Sequence, residues 1–151
     1  MTAAAPISCN FPFQTGDQIF LKAANQLYLS VIERGGIYPL EAAKANVDVY
    51  CQMTVTVVNS WTITLQIANR YLSVIARDGQ FPIEGGAKTT PDPFCLFQVV
   101  QLCTGPNQPF IALRGSNGLY LSEIAINGLN PIWAAKSGID VYSQFSVSTI
   151  T

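Results

Sequence analysis

The sequence predicts an all-β domain assembled from three copies of one unit, and three observations carry that expectation. The first is repetition. Leu27-Tyr28-Leu29-Ser30, Arg70-Tyr71-Leu72-Ser73 and Leu119-Tyr120-Leu121-Ser122 open blocks of like design. After each Tyr a Gly stands at the eighth position (Gly36, Gly79, Gly128) and a Pro at the eleventh (Pro39, Pro82, Pro131). A Lys then precedes an Asp by four residues in every block (Lys44/Asp48, Lys88/Asp92, Lys136/Asp140). Repetition on the scale of 43 to 49 residues, read between Tyr28, Tyr71 and Tyr120, sets architecture before local propensity does. The second observation is periodicity: apolar residues recur every second position or in short β-branched bursts, with no helical stripe. The third is length, since 151 residues make about one domain with a real core.

In chain order, each block yields four strands. Ile19 to Leu21, Trp61 to Leu65 and Phe110 to Leu113 supply the first, and the segments opening at Tyr28, Tyr71 and Tyr120 supply the second. Asn-Gln, Asn-Arg and Asn-Gly ahead of those tyrosines mark the turn between them. Gly36, Gly79 and Gly128 mark the next turn, where a positive φ is expected. The third strand lies around Pro39-Leu40, Pro82-Ile83 and Pro131-Ile132, and the closing segments 50–55, 94–99 and 142–147 form the fourth. Leu40-Glu41-Ala42-Ala43-Lys44 is the one local helix temptation, and its counterpart Ile83-Glu84-Gly85-Gly86 contradicts it. Twelve short strands with threefold equivalence in one domain are best served by a β-trefoil, a six-strand barrel capped by three hairpins. The expectation is a single domain over 1–151, with repeats at about 17–60, 61–105 and 109–151. Leu29, Leu72, Leu121 and the closing Phe, Met and Val residues should form its layered core.

Composition excludes several function classes. Only 11% of residues are charged, 49% are hydrophobic, and the net charge is −1. Eight dispersed Lys and Arg offer no run to track a phosphate backbone, so nucleic acid is not an expected partner. No apolar stretch reaches the roughly 20 residues of a membrane helix, so no membrane insertion is expected. The N-terminus lacks a basic region followed by an apolar one. The expected location is therefore cytoplasmic, or secreted without a recognisable signal peptide. Cys9, Cys51, Cys95 and Cys103 lack metal-ligand spacing, and the chain has no His. No cofactor or metal is expected. Cys51 and Cys95 hold equivalent places where repeat three has Ser143. That reads as a small, tolerated strand position, and a Cys95/Cys103 clip is left open to geometry.

The block pattern I-x-L, then YLS, G-x-x-P-[LI], K-x3-D and [YF]-x-x-[FM]-x-V resembles the fascin-type β-trefoil unit of the actin-cross-linking superfamily, from about Gln18 to Val147. Repeat two, from Ile63 through Asp92-Pro93-Phe94-Cys95, carries the nearest likeness. The likeness implies a scaffold more than an activity: members of this group bundle actin, and related trefoils in plants and mushrooms are lectins. The Gln-x-Trp signature of ricin-type trefoils is missing.

Catalysis is not expected, because without His the commonest general base and the activator of a Ser or Cys nucleophile are absent. Asp48, Asp92 and Asp140 recur on the repeat, so capping a turn through side-chain-to-backbone hydrogen bonds outweighs three ion-binding corners. Tyr28, Tyr71 and Tyr120 read as core or half-buried. The hairpin tips between the second and third strands, where the repeats diverge, are the candidate recognition surface. They carry Glu33, Arg34 and Tyr38 in repeat one and Arg77, Asp78 and Phe81 in repeat two. Repeat three has Asn127 and Asn130, with Trp133 where the others have Glu41 and Glu84. Planar faces beside carboxylate, amide and guanidinium heads suit sugars. The leading expectation is a non-enzymatic lectin with up to three related sites for neutral galactose or GalNAc-type glycans on glycoproteins. A homodimer or higher symmetric oligomer would multiply its valency. The alternatives are an actin-bundling module, or a protease inhibitor acting through the Pro-rich 104–109 loop.

Overall fold

The computed structural model describes residues 12–102 and 110–149; Cys9, Cys103 and the 104–109 loop lie outside them. The chain is a β-trefoil without α-helices among the described residues. Repeat one supplies β1 (Gln18–Lys22), β2 (Tyr28–Val31), β3 (Leu40–Lys44) and β4 (Met53–Asn59). Repeat two supplies β5 (Thr62–Ile67), β6 (Arg70–Val74), β7 (Ile83–Lys88) and β8 (Phe97–Leu102). Repeat three supplies β9 (Phe110–Arg114), β10 (Tyr120–Glu123), β11 (Ile132–Lys136) and β12 (Phe145–Thr149). Strands β1, β4, β5, β8, β9 and β12 each pair antiparallel with the next, and β12 returns to β1, which closes a barrel with no free edge.

Alternation aims one side of each barrel strand inward. Ile19, Leu21, Met53, Val55, Ile63, Leu65, Phe97, Val99, Ile111, Leu113 and Phe145 are all buried. Leu29, Leu72 and Leu121 add the layer beneath the hairpins, against Leu40, Ile83 and Ile132. The three hairpins β2/β3, β6/β7 and β10/β11 turn through residue pairs with positive φ: Gly35-Gly36, Asp78-Gly79 and Asn127-Gly128. That is the type I′ geometry whose twist matches the flanking strands.

The hairpins then link to one another in a ring. Gly85 N–H donates to the Tyr38 carbonyl, Ala134 N–H to that of Phe81, and Ala42 N–H to that of Asn130, each at 2.9 Å. Each repeat thus binds the next, and the third binds the first.

Two expectations need correction. Tyr50, Phe94 and Tyr142 do not begin a strand. They lie in turns (two of them 3-10 turns, Pro93–Cys95 and Val141–Ser143), and the fourth strands start three residues later. Trp61 is likewise a turn residue with φ of 68° ahead of β5. In both cases local hydrogen bonding at a tight turn overrides the β-propensity of an aromatic residue.

Candidate functional site

The Lys-x3-Asp element turns out to be a three-pronged clamp. One carboxylate oxygen of Asp48, Asp92 and Asp140 accepts the N–H of Tyr50, Phe94 and Tyr142 at 2.9, 3.0 and 2.9 Å. The same oxygen accepts from Cys51 Sγ, Cys95 Sγ and Ser143 Oγ at 3.5, 3.4 and 3.2 Å. The other oxygen takes the Lys44, Lys88 or Lys136 ammonium. These lysine bonds hold the three carboxylates below the usual aspartate range. Cysteine and serine are therefore interchangeable because each supplies one small buried donor. Burial pushes the Cys51 and Cys95 thiols up, and both are free cysteines. Protonated thiols of this kind are poor nucleophiles.

The clamp also sets an aromatic ring at the surface. Tyr50, Phe94 and Tyr142 are 51%, 53% and 50% exposed, with the repeat's lysine 5.9, 5.8 and 5.8 Å from the ring centroid. The sequence reading placed these rings at the start of the fourth strand, and Phe94 among its core residues. The signal that could have placed them outside is register: each lies three positions before the buried Met53, Phe97 or Phe145, out of step with period-two alternation.

The two candidate arginines are committed to the fold. Arg34 makes two bonds to the buried Glu41, Nε at 2.5 Å and a terminal nitrogen at 2.7 Å. Arg77 does the same with Glu84. The charge-assisted bonds to these carboxylates raise both guanidinium pKa values. In repeat three the equivalent positions hold Ile126 and Trp133, so this ion pair cannot form there. Asp78 and Asn127 serve as left-handed turn residues, with φ of 53° and 52°. Phe81 packs partly buried against the core, and Asn130 offers its carbonyl to the ring.

In repeats one and three an Asn of the first turn bridges to the third strand of its own repeat: Asn25 Nδ2 donates to the Ala42 carbonyl at 3.1 Å, and Asn117 Nδ2 to that of Ala134 at 3.3 Å. Repeat two lacks this bridge, because its turn is the tighter Ala68-Asn69 pair, with φ of 49° and 67°. Opposite that turn the alanine pairs Ala42-Ala43 and Ala134-Ala135 give way to Gly85-Gly86. A Cβ at Gly86 would overlap the Tyr38 ring, and one at Gly85 would come within 2.8 Å of Val31 and 2.9 Å of Leu72. Beside the short turn and the glycine pair lies a cleft of about 640 Å³. Tyr38, Tyr50 and Ile67 give it apolar faces, and Glu33, Lys44 and Arg70 give it polar heads. Of the nine residues expected from sequence, only Glu33 and Tyr38 line this cleft; Arg34, Arg77, Asp78, Phe81, Asn127, Asn130 and Trp133 do not. Tyr50, Arg70 and the glycine pair were not foreseen.

Among the described residues no group of three or more carboxylate or thiol side chains is placed to hold a metal ion. No helix is long and apolar enough to cross a membrane.

No family model and no curated protein matches the chain. Solved structures with this fold do. An SDF2-like protein from Arabidopsis thaliana superposes with a TM-score of 0.72 at 13% identity, covering 91% of this chain and 95% of its own. A designed threefold-symmetric protein, ThreeFoil, gives 0.69 at 15%, covering 86% and 96%. A lectin from Polyporus squamosus gives 0.69 at 12%, covering 91% of this chain and 50% of the lectin. At these identities the likeness is one of fold.

Proposed function

We propose that the protein is a non-enzymatic carbohydrate-binding protein whose sugar site is the cleft between repeats one and two. The observation that carries this reading is the cleft itself: two tyrosine rings beside a carboxylate, an ammonium and a guanidinium, in a concavity of monosaccharide scale. A pyranose presents a C–H face that packs on Tyr50 or Tyr38 and hydroxyls that bond to Glu33, Lys44 or Arg70. The occurrence of this fold in a lectin supports the same reading. A glycan array with wild type and Tyr50→Ala tests it. Wild type should show sugar-inhibitable binding, and loss of the ring should weaken it about tenfold. An array with no sugar-inhibitable signal would end the reading.

The fascin-type likeness of the repeat leaves actin bundling as the alternative. Five of the eight Lys and Arg sit in ion pairs with the protein's own carboxylates, which leaves little free positive charge for an acidic filament. Cosedimentation with filaments at low salt separates the two roles. Protease inhibition through the 104–109 loop concerns residues outside those described, and inhibition assays address it directly.

A further inference from the structure

We infer that the saccharide taken by this cleft is an acidic one, with its carboxylate on Arg70 and its hydroxyls on Glu33. The inference rests on the carbohydrate-binding reading and names the substrate class of that same site.

The argument begins with which cations are uncommitted. Lys44, Lys88 and Lys136 are held by the clamp aspartates, and Arg34 and Arg77 by Glu41 and Glu84. Lys22 stands 4.8 Å over the Tyr28 ring, and Arg114 Nε donates to the Gly118 carbonyl at 2.9 Å. Among the described residues Arg70 alone of the eight makes no ion pair, hydrogen bond or ring contact through its side chain, and it is exposed on the cleft wall.

Position makes the same point. The residue before the block tyrosine is Leu27 in repeat one and Leu119 in repeat three, but Arg70 in repeat two. The charge thus appears in the cleft that the short turn and the glycine pair border. Glu33 also lines the cleft, where the other repeats have Ala76 and Ala125. One Glu33 oxygen accepts the Gly36 N–H at 3.0 Å, which fixes the side chain at the rim. The other oxygen remains an acceptor for ligand hydroxyls.

A free cation, a hydroxyl acceptor and aromatic faces lining one cleft form a complementary set. The matching ligand is a sugar ring with a carboxylate at one end and a diol at the other. The guanidinium fork pairs with a carboxylate in two parallel bonds, which a neutral sugar cannot reproduce. Low overall charge pointed toward a neutral glycan; the placement of this one free arginine reverses that expectation. Sialic and uronic acids share the required chemistry.

The test is calorimetric titration of the whole protein with four methyl glycosides: galactose, N-acetylneuraminic acid, glucuronic acid, and the methyl ester of whichever acid binds. An acid should bind about tenfold tighter than its ester, and the advantage should shrink as salt rises. Arg70→Leu, which installs the residue of the other two repeats and so spares the fold, should abolish the advantage. Arg70→Lys should keep part of it. Which acid binds separates a sialylated from a uronate-bearing source. Binding of galactose or the ester as tightly as the acid, or an unaltered preference in Arg70→Leu, overturns the inference and leaves the lectin reading standing. Failure of galactose and of both acids to bind overturns both.

Discussion

Glu123 shows how one position can differ in chemistry while the backbone repeats. It occupies the place of Val31 and Val74, is 8% exposed, and accepts a single bond, from Asn25 N–H at 3.3 Å. Burial raises its carboxyl above the ordinary glutamate value of 4.5, and the Asn25 bond only partly opposes that. The folded chain therefore holds this proton more tightly than the unfolded chain does. The side chain's contribution to stability is fully present below that value and is lost as pH rises through the raised one. Glu123→Val should accordingly raise the denaturation midpoint at pH 7 and change it less at pH 4. Thermal unfolding at the two pH values is the check, and an equal shift at both would show that packing, not charge burial, dominates. Trp133 is a second case: it replaces a buried glutamate of the other two repeats, and the Ile126 that replaces their arginine lies seven residues away.

Strands and turns were far more legible than sites. The four-strand unit, the glycine turns and the capping role of the aspartates could all be read from spacing, because each depends on neighbours within a few positions. The clamp's lysine and its Cys or Ser donor were present in the repeat, but their convergence on one carboxylate needs three-dimensional proximity. Asp140→Ala removes the bonds to Tyr142 N–H, Ser143 and Lys136 together. The expected loss is about 1 kcal/mol, a modest capping value because the half-exposed lysine bond is screened by solvent. Lysine bonding lowers the Asp140 carboxyl below its ordinary 3.8. Its stabilising effect is therefore present above that value and lost as pH falls through the depressed one. Urea unfolding of the variant and wild type should differ at pH 7 and converge in strong acid. A constant gap would place the effect in the backbone and not in the charge.

For the whole molecule, threefold repetition made the barrel predictable but says less about valency. Sequence equivalence implied up to three sites, whereas the proposed site is one cleft bordered by a shortened turn and by two glycines where the other repeats have alanines. Those are small changes whose meaning depends on residues from the adjoining repeat. We therefore expect titration to give one sugar per chain, with a stoichiometry near three disproving the one-cleft account. Agglutination by such a protein would need association of chains. The exposed Val47, Val49, Val141 and Tyr142 offer apolar surface for it, and light scattering at micromolar concentration would show a dimer or larger species. The ring that ties the hairpins together has one more implication. Its three links run through peptide groups, at positions occupied by tyrosine, phenylalanine and asparagine in turn. The links themselves need no particular side chain, so codons 38 and 130 can be randomised to build new binding specificities while Phe81, which packs on the core, is kept.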